Sequence, residues 1–189
     1  GLPKIYKMLS YERSYCEILI LYKVIGSFTV EQSRNAIEIP AQKFEIHYTD
    51  KAIEQIISIT KGYPFFIQQM CQVVYKNAVE KEIGCGCVES STEEFYKLLD
   101  VGFFKVRYER CADSDKKFIF AIVECGELPC TIANVAKNLN KSVSSISTTR
   151  AQLINKGIIY PIRYRELDFT VPEFSGYIQR LEEYRLWCE

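Results

Sequence analysis

TIANVAKNLNKSVSSISTTRAQLINKGIIYPIRYRELDFTV, residues 131–171, is the stretch that decides the fold. Thr131 is a capping residue, and Ile132, Val135, Ala136 and Leu139 follow at helical spacing, which predicts a short helix over Ile132–Leu139. Asn140-Lys141 makes a turn. Ser142 then caps a longer helix, Val143–Lys156, with Val143, Ile146, Leu153 and Ile154 inward and part of Thr149 or Arg150 beside them; Gly157 terminates it. Two β-type runs come next, Ile158–Ile162 and Glu166–Val171, joined by Arg163-Tyr164-Arg165. Just upstream, a helix from about Ser114 to Glu124 presents Phe118, Ile119, Ala121, Ile122 and Cys125. Three helices followed by a two-stranded hairpin is the order of a winged helix-turn-helix.

Outward from this centre the chain is mainly helical. Pro172 to about Trp187 is expected to form a final helix on the same domain, and residues 92–101 another that opens it, with Ser91-x-x-Glu94 as a capping box. The aromatic piece Phe103–Tyr108 connects this helix to the next. Nearer the start, Thr29-x-x-Gln32 is a second capping box, for a helix from Val30 to about Ile39 that Pro40 stops. Asp50–Thr60 carries Ala52, Ile53, Ile56, Ile57 and Thr60 on one side; Gly62 closes it and Pro64 opens a third helix, to about Glu80. That helix is apolar on more than one face, which places it at the centre of a small bundle. The first 25 residues read as a helix with Tyr11, Tyr15, Ile18, Leu19 and Tyr22 at helical spacing, ending in a β-like run, Tyr22–Ile25. Residues 83–91 contain glycine, lack periodicity and are expected to be a linker. The fold class expected is a small helical bundle followed by a winged helix domain, residues 92–189, with a short β-hairpin.

Composition removes several functions. With 48% hydrophobic and 25% charged residues the chain is an ordinary globular one. Unbroken apolar runs such as Ile18–Tyr22 are far below the ~20 residues that span a bilayer, so no membrane partner is expected. No basic segment followed by an apolar one opens the sequence, and a cytoplasmic location is expected. His47 stands alone, leaving little for a catalytic triad or a histidine metal centre. The eight cysteines offer two close pairs, Cys85-x-Cys87 and Cys125-x4-Cys130, neither with the two-residue gap of a zinc knuckle, so free thiols and no metal site are expected. Net charge is zero, yet residues 128–165 hold Lys137, Lys141, Arg150, Lys156, Arg163 and Arg165 and no acid.

That local charge lies on the helix-turn-helix. In such readers the second helix of the motif enters the major groove and its outward side chains meet bases and phosphates. Here the outward face offers Ser144, Ser145, Ser147, Thr148, Gln152 and Asn155, with Lys141 and Lys156 around it, and the hairpin tip adds Arg163 and Arg165. Duplex DNA is the partner this pattern fits, with all four of these cations in solvent. Winged helices also dock proteins, and six cations in 38 residues are few for a stand-alone DNA binder, so protein or interdomain docking and a self-contained transcriptional regulator stay open. Arg150 borders the buried side and can equally be structural.

Three segments carry a resemblance. Gly62-Tyr-Pro-Phe-Phe-Ile-Gln68, Gly102-Phe-Phe-Lys-Val-Arg107 and Ser142-Val-Ser-Ser-Ile-Ser147 with Arg150-Ala-Gln-Leu-Ile-Asn-Lys-Gly157 together look like the C-terminal half of prokaryotic AAA+/STAND-type ATPases, which are similar to the origin-recognition ATPases. The resemblance implies that residues 1–28 are the end of a nucleotide-binding core, 29–82 a helical lid and 92–189 the winged helix domain. It also implies that Gly62, Tyr63 and Pro64 face the adenine of a nucleotide in the intact protein, and that an ATPase core precedes this region in the same polypeptide. The chain begins at Gly1 rather than Met, as an excised piece would. It holds no G-x-x-x-x-G-K-[ST] loop and no apolar strand ending in Asp-Glu, the parts that grip phosphates and Mg2+. The chain itself is therefore expected to have no catalytic residue and no cofactor, ATP and Mg2+ belonging to the intact protein.

Overall fold

The computed structural model describes residues 26–188 of the 189-residue chain. The expected N-terminal helix and the run Tyr22–Ile25 lie outside the described residues. The described part divides into two compact units, residues 26–103 and 104–188, with the division inside a π-helical turn, Asp100–Phe104.

The first unit is a helical bundle. Helix α1, Val30–Gln42, starts from the Thr29 capping box: Thr29 Oγ1 accepts from the Gln32 N–H at 3.2 Å and Gln32 Oε1 accepts from the Thr29 N–H at 3.0 Å. Pro40 does not stop it. A proline this close to the C-terminus removes one N–H but leaves the last turn able to close, and Phe44 and Ile46 both donate to the Ala41 carbonyl. A two-residue strand β1, His47–Tyr48, leads to α2, Asp50–Thr60, capped by Thr49. Lys61 and Gly62, both left-handed at φ 52° and 67°, turn the chain into α3, Pro64–Asn77. Helix α3 buries Phe66, Ile67, Met70, Val73 and Val74. After strand β2, Glu82–Ile83, comes α4, Cys85–Leu99, and α3 packs on α1, α2 and α4 as a central helix should. Strands β1 and β2 pair in parallel, His47 opposite Glu82 and Tyr48 opposite Ile83.

Three expectations are corrected here. Helix α3 ends at Asn77, where the Asn77 amide donates to Ser91 Oγ (3.3 Å) and Glu94 Oε2 (3.1 Å) and the next residue turns extended. The expected linker, residues 83–91, is the end of β2 and the first half of α4. Its stripe is Val88, Ser91, Phe95 and Leu99, all buried; a serine at one of four inward positions hid the period. Ser91 is consequently the middle of a helix and not a cap, and Glu94 pairs with Lys76 at 2.8 Å.

The second unit begins with a short helix α5, Lys105–Tyr108, then α6, Asp113–Val123, whose Phe118, Ile119, Ala121 and Ile122 are buried. Strand β3, Cys130–Thr131, precedes α7, Ile132–Asn138, which Thr131 caps at 3.3 Å from the Asn134 N–H. Asn140, left-handed at φ 52°, makes the expected turn. Helix α8, Ser147–Lys156, ends at left-handed Gly157. Strands β4, Ile159–Pro161, and β5, Glu166–Phe169, form the hairpin, and β3 adds to the far side of β5, giving the sheet order β3-β5-β4, antiparallel throughout. This is a mainly helical, winged-helix-like fold with a short hairpin. Its β3 strand is too short to carry a period and was not anticipated. The single terminal helix is in fact two, α9, Phe174–Arg180, and α10, Glu182–Cys188, separated by extended Leu181. Phe104 stacks on Tyr177 at 5.3 Å and meets Phe174 edge-on at 5.8 Å, fixing α9 to the unit.

Candidate nucleic-acid interface

The expected recognition helix is shorter than its sequence. Val143–Ile146 form a turn, α8 starting only at Ser147, and Val143 is 47% exposed instead of inward. The cause is local chemistry. Ser142 Oγ accepts from the Ser145 N–H at 3.3 Å and lies 3.0 Å from Ser144 Oγ; the Ser145 hydroxyl donates to the Ser142 carbonyl at 2.8 Å, and the Ser147 hydroxyl to the Ser144 carbonyl at 2.7 Å. Serine hydroxyls at this density compete with the helical ladder for backbone partners. Ser144 and Ser145 are exposed, but their hydroxyls build the turn before they can serve a ligand.

The outward face of α8 is as expected from its spacing. Thr148, Gln152 and Asn155 are exposed and recur at i, i+4 and i+7, one side of the helix, with exposed Ser147 and Ala151 between them. Leu153 is fully buried on the other side, next to Ile146. Lys141 is exposed in the turn ahead of the helix, Lys137 on α7, and Arg163 and Arg165 at the tip of the β4–β5 hairpin. Arg150 is half-buried, with its Nε buried and without a hydrogen-bond partner.

Lys156 is exposed, as expected with the other cations, but its ammonium is engaged. It donates to Asp115 Oδ2 and, at 3.1 Å, to the Arg110 carbonyl, and the Asp115 carboxylate has 0% exposure. The same Asp115 oxygen accepts the Ala112 N–H at 3.1 Å, capping α6. The hydrogen bond to Asp115 raises the Lys156 pKa above its ordinary 10.5. Lys156 thus joins the end of α8 to the start of α6. Nothing in the sequence marks this pair, since the two residues are 41 positions apart.

Tyr164 was also missed. It lies between Arg163 and Arg165 at the hairpin tip, is 84% exposed, and has the Arg165 guanidinium 4.9 Å from its ring centroid. The available signal was an aromatic residue bracketed by two arginines in a predicted hairpin turn.

The three residues expected to face a nucleotide form the corner between α2 and α3. Gly62 is buried: its carbonyl accepts the Phe28 N–H at 2.8 Å, and a Cβ on it would stand 2.7 Å from the Phe28 carbonyl oxygen. Glycine is required there by the neighbouring backbone. Tyr63 and Pro64 are half-buried, Tyr63 resting 4.7 Å from the Phe66 ring. Pro64 lines an apolar groove of about 590 Å³ with Phe28, Pro40, Phe44, Tyr48 and Tyr75. Within it burial pushes the Cys71 thiol up to about 11, and burial with the same thiol close by raises the Tyr48 phenol.

Among the described residues the seven cysteines are free, and no group of three or more His, Cys, Asp or Glu side chains could hold a metal ion. Cys125 and Cys130 are hydrogen-bonded neighbours, and burial pushes Cys130 up to about 12. No described helix is long and apolar enough to cross a membrane.

Residues 101–178 match a family described as a domain of unknown function (DUF8462). Among curated proteins none matches. The chain is similar to solved structures of the Thermotoga maritima RuvB Holliday junction branch migration motor, at 18% identity and a TM-score of 0.40 over 80% of this chain and 49% of that one. Two mutants of the same protein match over the same shares with the same TM-score, at 17% and 18% identity. The chain spans about half the length of these structures.

Proposed function

We propose that the second unit binds duplex DNA through its serine turn, the outward face of α8 and the hairpin wing, as part of a longer P-loop ATPase whose lid is the first unit. One observation carries the DNA half: Lys137, Lys141, Arg163 and Arg165 are exposed within a 38-residue stretch that has no carboxylate, and they accompany an exposed polar helix face. Gln152 and Asn155 are side chains that pair with adenine edges, and the arginines suit phosphates. Lys156 is left out of the interface because Asp115 holds it.

Four cations set the expected salt response. At about 0.9 counterions per neutralised phosphate, log K against log salt concentration falls with a slope near −3 to −4. A gel shift across salt concentrations with the full chain tests this. Replacing Lys141, Arg163 or Arg165 with Ala should flatten the slope by about one unit each. Absence of salt-dependent binding to any duplex rejects DNA and leaves this surface to a protein partner.

The lid half rests on Tyr63 and Pro64 at the start of α3 and on the apolar groove behind Pro64. Aromatic and proline walls fit a flat heterocycle, whereas among the described residues no cation lines the groove to hold phosphates. ATP and Mg2+ would be gripped by the P-loop core of the longer protein, which supplies the chemistry. This chain alone should not hydrolyse ATP, and phosphate release above background from purified chain overturns that statement.

A further inference from the structure

We propose that the wing tip is a base-stacking device in which Tyr164 takes an unpaired nucleobase, so that the preferred DNA is a duplex interrupted by a fork or gap rather than a continuous one. The proposal rests on the DNA reading above and adds to it a residue and a substrate class. A tyrosine left 84% exposed is a large apolar ring displayed to solvent, and this one is held in place. The Arg165 guanidinium lies over one ring face at 4.9 Å. The tip backbone that carries the ring is tied down: Glu166 N–H to the Arg163 carbonyl at 3.1 Å, Ile162 N–H to the Glu166 carbonyl at 3.3 Å, and Ile132 N–H to the Arg165 carbonyl at 3.0 Å. Arg165 adopts φ 64°, a left-handed conformation that a non-glycine residue takes at a cost.

The second ring face is the functional one. A cation on one face and an open face on the other make a platform on which a nucleobase stacks, with the cation adding to the attraction. Bases inside a continuous duplex already have both faces covered by their neighbours, and separating them costs energy. A base at a fork or gap has a face to give. Arg163, exposed and next to Tyr164 in the chain, would take the phosphate of the same nucleotide, and no carboxylate within residues 128–165 opposes it. A protein partner is the alternative occupant, and the experiment separates the two.

The test uses the full chain and two probes of equal duplex sequence, a forked duplex with unpaired arms carrying 2-aminopurine at the fork, and a relaxed, covalently closed circular duplex with no ends. Wild type should bind the fork more tightly and quench the 2-aminopurine. Tyr164→Ala should lose fork affinity by about five- to a hundredfold, the span of one base stack, and abolish the quenching, with a clearly smaller loss on the closed circle. Tyr164→Phe and Tyr164→Trp should keep both. Equal affinity of wild type for fork and circle overturns the proposal while the DNA reading stands, as does an equal loss on both probes in Tyr164→Ala. No binding to either probe removes the DNA reading itself, and this proposal with it.

Discussion

Replacing Lys156 with Ala should unfold the second unit more easily, although the residue is on the surface of a candidate DNA-binding helix. The Asp115 carboxylate is fully buried, and without Lys156 it keeps only the Ala112 N–H as a hydrogen-bond partner on its Oδ2 atom, while Oδ1 has none. Removing one member of a buried pair costs about 3–5 kcal/mol, because the remaining charge stays uncompensated. The Lys156 side chain is 35% exposed, so water reaches the outer side of the pair and screens it, which brings the expectation down to about 2–3 kcal/mol. For a chain of this size that is a fall in Tm of roughly 4–12 °C. The single tryptophan, Trp187, lies 5.9 Å from the Phe120 ring of α6, so its fluorescence during urea unfolding reports on the right unit. Removing both charges in Asp115→Asn with Lys156→Met should recover much of the loss. The pH response has a fixed sign: the folded pKa of Lys156 is raised, so its contribution is complete below about 10.5 and disappears as pH climbs through the folded value. A loss under ~0.5 kcal/mol in Lys156→Ala, or a wild-type advantage that survives well above that pH, refutes the assignment.

The other expectations are structural. Gly62→Ala should cost about 2 kcal/mol or more by urea denaturation, since the added methyl meets the Phe28 carbonyl oxygen at 2.7 Å and φ is 67°; a neutral effect would mean the turn is not built this way. Leu153→Ala should cost ~2–5 kcal/mol by opening a cavity beneath α8, read by the same denaturation. In timed alkylation at pH 8 followed by peptide mass mapping, exposed Cys188 should react before buried Cys111 and Cys130, whose thiols burial holds at about 11 and about 12. Early labelling of Cys130 would contradict its place in strand β3.

How far the sequence could be read depended on what kind of signal each feature leaves. Caps at Thr29 and Thr131 and the turns at Asn140 and Gly157 are local, so a few neighbouring residues carry the signal. Helix α4 was obscured because Ser91 fills an inward position that a periodicity count scores as polar. The start of α8 was misjudged for the opposite reason: Val143 and Ile146 supplied a helical spacing, and three serine hydroxyls diverted the backbone. Strands β1, β2 and β3 are two residues each, too short for alternation to register. In the candidate interface, the exposed polar face of α8 and the wing arginines were legible as a charge block. The fate of Lys156 was not, because a pairing with Asp115 is a property of the folded packing and leaves no trace in spacing.

The clasp between the Phe28 N–H and the Gly62 carbonyl has a mechanical meaning. This bond fastens residue 28, two positions ahead of α1, to the corner that launches α3. Tension applied along the polypeptide ahead of Phe28 is therefore delivered first to the corner at Gly62, bypassing the turns of α1. The corner acts as a cleat: a tug from upstream is felt at the base of Tyr63 and Pro64 while the coil of α1 stays wound.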